Sequence, residues 1–188
     1  MMRDIYNAAT GTIVSLGDGP AGKVLFEFLH ELFLYENFYN PDEQVLKSPK
    51  LIKEESPKWL ALKGLLNHSY WKRAWVVQEI VMAKLVHINY VGCWYDWSIV
   101  APIICSLSGG GLLQKMDIVE GMTVPKFQAI SRIHFTKDKP DLEEMVLKFV
   151  STKSTLDQDR IFAFQGISKA ADGKVLEPYY KLTTSRFI

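Results

Sequence analysis

Trp71-Lys-Arg-Ala-Trp-Val-Val-Gln-Glu-Ile-Val-Met-Ala83, followed almost at once by Leu85-Val-His-Ile-Asn-Tyr-Val91, sets a tryptophan-bearing apolar segment before a short alternating one. At helical spacing Trp71, Trp75 and Glu79 recur at i, i+4 and i+8 and stack along one face, with Met82 and Gln78 close by. In the second segment Val86, Ile88 and Tyr90 alternate with Leu85, His87 and Asn89, the period of a half-buried strand, and Gly92 closes it. Helix followed by strand is an α/β signature. Glu79 is the acid inside the helical stretch, where a carboxylate is costly unless it is hydrogen-bonded or used. Perturbed carboxylates gather at functional sites, so Glu79 is a candidate site residue. The alternative is a structural ion pair with Arg73 or Lys72.

The rest of the chain narrows the class. Its 188 residues, 48% hydrophobic, can bury one sizeable core, and residues 1–188 read as a single domain. A net charge of +1 from scattered acids and bases leaves no electrostatic footprint for nucleic acid or an anionic membrane. The opening Met-Met-Arg-Asp-Ile-Tyr6 has no apolar targeting core, and no stretch approaches the roughly 20 apolar residues of a membrane span. A cytoplasmic, soluble chain is expected, in which Cys93 and Cys105 stay reduced as packing residues. His30, His68, His87 and His134 are far apart and in no HxxxH or CxxC context, so no metal site is expected.

Around the central segment, Met2, Ile5, Tyr6 and Ala9 suggest a first helix, and Thr12 to Leu16 a short strand ended by the Gly17-Asp-Gly-Pro20 turn. Ala21 to Tyr35 has amphipathic helical periodicity, residues 40–57 read as a polar, proline-bearing surface loop insert, and Trp59 to Leu66 as a short helix. Trp97 to Leu107, Pro125 to Phe135 and Asp141 to Val150 read as further helices. The Gly109-Gly-Gly111 run lacks a following GK[ST] and any GxGxxG frame, and so reads as a linker. Asp159 precedes the apolar run Arg160-Ile-Phe-Ala-Phe-Gln-Gly166 as an N-cap signal. Only two strands stand out, too few for a doubly wound sheet.

Taken in order, four segments resemble the fungal heterokaryon incompatibility (HET) domain. Met2-Arg-Asp-Ile-Tyr-Asn-Ala-Ala-Thr-Gly-Thr-Ile-Val-Ser-Leu-Gly17 is similar to the family's M-x-x-I-Y-x-x-A-x-x-V-x-V-W-L-G segment, with Ser15 where tryptophan is usual. Arg73-Ala-Trp-Val-Val-Gln-Glu79 resembles the R-x-W-V-x-Q-E block, the most specific of the four, and Ala83 to Gly92 the helix end and strand that follow it. Asp157-Gln-Asp-Arg-Ile-Phe-Ala-Phe-Gln-Gly-Ile167 resembles the D-P-R-D-K-I-Y-A-L-L-G-L block, with Pro178-Tyr-Tyr180 in place of P-D-Y. The resemblance marks Tyr6, Gly17, Asp159 and Arg160 as motif residues. The family's L-S-Y-x-W-G and W-I-D-x-x-C-I-N-Q blocks have no counterpart in the sequence, so the chain is expected to lack the N-terminal part of the domain and the strands that part would supply.

The resemblance implies an incomplete TIR-like or flavodoxin-like three-layer α/β domain with few strands and many helices, acting in fungal non-self recognition and regulated cell death. Many TIR domains cleave NAD with a helical glutamate in a W-x-x-x-E-like pattern before a strand, and Trp75-Val-Val-Gln-Glu79 is similar to it. By that analogy Glu79 is catalytic, while Trp75, Arg73 and Gln78 contact substrate. NAD would be a substrate, and no cofactor is expected. The competing reading is a non-catalytic interaction or self-association module, or an inactive paralogue, with partners that are copies of itself or other incompatibility proteins.

Overall fold

A computed structural model describes residues 2–17, 21–38, 56–115, 118 and 123–169. Along the chain lie α1 (Met2–Ala8), β1 (Thr12–Ser15), α2 (Gly22–Phe38), α3 (Pro57–Leu66), a 3-10 turn (Ser69–Lys72) and α4 (Trp75–Met82). They are followed by β2 (Val86–Tyr90), β3 (Cys93–Asp96), α5 (Trp97–Gly109), α6 (Leu112–Lys115), α7 (Thr123–Thr136), α8 (Leu142–Lys148) and α9 (Asp157–Gln165). The fold is mixed α/β and mostly helical, as the pattern of few strands and many helices implies. The insert expected at 40–57 and the Pro178-Tyr-Tyr180 motif lie outside the described residues, apart from Ser56 and Pro57 at the start of α3. Among the described residues no helix is long and apolar enough to cross a membrane.

The chain divides into two compact units, each assembled from separated stretches. One comprises Met1–Thr12, Ser69–Lys84 and Ala129–Ile188. Here α4 packs on α1 and α9, and α8 on α9. Met145 and the Phe149–Phe164 ring pair, 5.5 Å between centroids, fill its core. Asp157 opens α9, so Asp159 sits inside the first turn and is not the N-cap that the sequence suggests. Acids in that turn still oppose the positive end of the helix dipole.

The other unit comprises Ile13–His68 and Leu85–Gln128 and holds a three-stranded sheet in the order β1-β2-β3. Val86 and Ile88 point into its core while His87 and Asn89 are more exposed, the alternation read from the sequence. The third strand was not apparent in the sequence: β3 runs antiparallel to β2 with Ile88 opposite Tyr95 and Tyr90 opposite Cys93. Val91 and Gly92 join the two with φ of 57° and 74°. A two-residue hairpin turn of type I′, with left-handed backbone at both positions, suits glycine freely but a β-branched residue such as valine rarely. The hairpin signal was therefore half missing. α2 and α5 pack against the hairpin and against each other, and α3 lies on α2 through the edge-on Phe28–Trp59 pair, 4.8 Å between centroids.

α3 starts on Pro57 behind a Ser56 cap whose hydroxyl accepts from Lys58 N at 3.2 Å, and α5 starts behind Asp96, which accepts from Ser98 N at 2.7 Å. α5 continues through Pro102, whose side is exposed. At the start of α2 a Cβ on Gly22 would meet the Val91 carbonyl oxygen at 2.7 Å and Val91 Cβ at 2.8 Å, while the Tyr95 hydroxyl donates to the Gly22 carbonyl at 2.6 Å. Backbone cannot give way there. Gly22→Ala is expected to lower stability by about 1–3 kcal/mol, the cost of overpacking a close contact. Gly109→Ala, with open space around the new methyl, is expected to be neutral or slightly stabilising. Urea unfolding of the two variants checks the contrast.

Candidate functional site

The helix expected over residues 71–83 does not run unbroken. Ser69–Lys72 forms a 3-10 turn, and α4 begins at Trp75. Between them the chain pairs with Lys153: Lys153 N donates to the Lys72 carbonyl at 2.5 Å and Ala74 N donates to the Lys153 carbonyl at 2.8 Å. Backbone groups engaged in this bridge are lost to the i to i−4 ladder, so helical phase is not carried from Trp71 to Glu79. Trp71 turns into the core, 5% exposed, and meets Tyr70 edge-on at 5.2 Å.

Within α4 the expected stripe survives. Val76, Val77, Gln78, Ile80 and Val81 are buried, and Trp75, Glu79 and Met82 form the partly exposed line at i, i+4 and i+7. Gln78, 1% exposed, lies on the buried side, and its carboxamide oxygen has no hydrogen-bond partner among the described residues.

The break aims a different aromatic residue at the acid. Tyr70 donates its hydroxyl to Glu79 Oε2 at 2.6 Å. Tyr6 of α1 lies near enough to the same carboxylate to feel its charge, and the Arg73 guanidinium carbon lies 5.7 Å from the Tyr70 ring centre. Burial, the Glu79 charge and the hydrogen bond to Glu79 together push the Tyr6 hydroxyl up to about 12, with Arg73 opposing. The same causes, again with burial first, raise Tyr70 further. Both phenols thus stay protonated donors throughout the physiological range. Tyr6, Tyr70, Arg73, Trp75 and Glu79 all belong to the unit that contains α1, α4 and α9.

α4 is fixed at its other end as well. His134 Nδ1 lies 2.9 Å from the Ile80 carbonyl oxygen, and Lys137 Nζ donates to the Val81 carbonyl at 3.4 Å. These two carbonyls are among those a helix C-terminus leaves unpaired. Burial, reinforced by the Lys137 charge, lowers the His134 pKa against the favourable Ile80 contact, so the ring is held neutral with Nδ1–H as the donor.

The other residues marked in the sequence lie elsewhere. Arg160 Nη2 donates to Asp157 Oδ1 at 3.4 Å within α9, and Nη1 donates to the Val150 carbonyl at 3.5 Å just after α8. Gly17 follows β1, and its carbonyl accepts from Val91 N at 3.1 Å in the unit that holds the sheet. Tyr70 was missed because helical spacing says nothing about a side chain presented from a separate turn.

The tyrosine–carboxylate cluster has a measurable consequence at alkaline pH. Unfolded tyrosines lose their protons near pH 10, while native Tyr6 and Tyr70 hold theirs to higher pH. Stability contributed by these protons is intact below about pH 10 and falls as pH rises through the window up to about 12. Urea midpoints measured from neutral pH upward are expected to drop across that window, and less steeply in Tyr70→Phe.

Residues 1–79 match the family model described as Heterokaryon incompatibility protein (HET). No curated protein and no solved structure matches the chain. The match ends at Glu79, and the Asp157–Ile167 resemblance lies beyond it. Tyr6, Tyr70, Arg73, Trp75 and Glu79 all lie within the stretch that is similar to the heterokaryon incompatibility (HET) family.

Proposed function

We propose that the chain acts in fungal non-self recognition leading to regulated cell death, and that its chemistry is cleavage of the nicotinamide–ribose bond of NAD with Glu79 as the working carboxylate. The observation that carries this reading is a partly exposed acid whose carboxylate is held by the Tyr70 hydroxyl at 2.6 Å. The succession of α4, bearing Trp75-Val-Val-Gln-Glu79, and strand β2 also supports it, being the order in which TIR-like enzymes carry their glutamate.

The reaction asks little of the protein. The ribosyl C–N bond breaks with its electron pair passing to the nicotinamide nitrogen, which leaves neutral, and water adds to the ribosyl carbon to give ADP-ribose and a proton. Oxocarbenium charge builds on the ribose, and an oriented anion stabilises it while accepting hydrogen bonds from ribose hydroxyls. With Tyr70 on Oε2, the other oxygen of Glu79 is the one turned to substrate. Trp75, on the same stripe of α4, offers a face for an aromatic ring, and exposed Arg73 offers a guanidinium for the pyrophosphate. Gln78, buried, serves as packing behind them.

Purified chain incubated with NAD is expected to release nicotinamide, and Glu79→Gln to do so at least about a hundredfold more slowly, the usual cost of removing a transition-state charge partner. Equal rates, or no release by the unaltered protein, would overturn the enzymatic reading.

A second reading, self-association, has its own support. Leu147, Val150, Leu156 and Ile161, from α8 to α9, are 66%, 57%, 48% and 41% exposed. If these side chains join into one patch, such a patch is a common mark of a contact surface. Light scattering is expected to give a mass above the 21.5 kDa of one chain, to fall to that of one chain in Leu147→Lys, and to be unchanged in Glu79→Gln. A single-chain mass at every concentration would contradict it.

A further inference from the structure

The unit that holds the sheet contains a cavity of about 200 Å³ between α2 and the β3–α5 corner. None of the residues around Glu79 lines it. Its walls are apolar and largely aromatic, and Phe26, Phe33, Trp94 and Ile99 at its mouth remain 49%, 36%, 54% and 38% exposed. Exposed apolar side chains grouped around a concavity point to a ligand, whereas isolated ones do not. An apolar cavity of about 150 Å³ takes a benzene ring, so this one has room for a fused pair of rings.

The lining carries three polar side chains, His30 on the α2 wall and Tyr95 and Asp96 on the β3–α5 wall, and the latter two define the edge considered for the ligand. Tyr95 is already committed, its hydroxyl donating to the Gly22 carbonyl at 2.6 Å. Asp96 is half committed: Oδ1 accepts from Ser98 N at 2.7 Å and from Ser98 Oγ at 2.6 Å, and Oδ2 has no partner among the described residues. Asp96 is part-exposed at the rim of these walls, where its carboxylate can accept from a donor on a bound ligand, and a charge-assisted N–H bond is the strong form of that contact.

We propose that this cavity binds a small fused-ring aromatic molecule bearing an N–H on its edge, stacked against Trp94 with the N–H donated to Asp96 Oδ2. The inference is independent of the NAD reading and concerns different residues.

Indole and N-methylindole are the probes, because they share a ring system and differ in the donor. Methyl NMR of the full chain is expected to show saturable shifts at Ile99 and Val100 with indole, and binding about tenfold weaker with N-methylindole, the loss of one hydrogen bond to a charged group. Asp96→Asn keeps a side-chain oxygen to cap α5 but turns an amide N–H₂ toward the cavity, and is expected to weaken indole to the level of N-methylindole. Ile99→Trp, which fills the cavity, is expected to abolish both. No saturable shift at Ile99 and Val100, or equal affinity for the two probes in the unaltered protein, would overturn the proposal without relying on any variant.

Discussion

A carboxylate carried on a helix whose other faces are apolar must find hydrogen-bond donors or stay in water, and Glu79 does some of each. Val76, Val77, Ile80 and Val81 bury α4 on most sides, which leaves a narrow stripe on which the acid can survive. Tyr70 closes on it from a separate turn, and Tyr6 stands near it on a separate helix. Phenols suit this role. They donate without bringing a positive charge that would neutralise the acid, and the acid in turn keeps them protonated. A guanidinium in their place would have made an ordinary ion pair.

That geometry rests on a backbone event. The bridge to Lys153 ends one short turn at Lys72 and allows α4 to start anew at Trp75. It withdraws Trp71 into the core and swings Tyr70 toward the carboxylate. The far end of α4 is held by His134 and Lys137 on its last carbonyls, so the helix bearing the acid is tied at both ends by residues distant in sequence.

Much of this was legible beforehand, though unevenly. The 3.6-residue period of α2 and the alternation of β2 are strong local signals, and each gave the right element within a few residues. Trp75 and Glu79 were rightly put on one face because i, i+4 spacing lies within a single helix. Trp71 was placed there wrongly, since the pairing that interrupts the helix is made with a strand-like residue about eighty positions later and no local pattern announces it. β3 was missed for a related reason: Val91 occupies a left-handed position that sequence rules reserve for glycine or asparagine. Asp159 misled by one turn, as acids serve both as caps and as first-turn residues. Motif resemblance pointed to the same family whose model matches residues 1–79, and that match ends on the acid itself.

Everything proposed for Glu79 presumes that the Tyr70 hydroxyl holds it. A double-mutant cycle on Tyr70→Phe and Glu79→Gln, read by urea unfolding at neutral pH, measures that tie directly. A coupling of at least about 1 kcal/mol between the two positions is the predicted result. Additive effects, with coupling under about 0.3 kcal/mol, would show a carboxylate that Tyr70 does not restrain and would contradict the account.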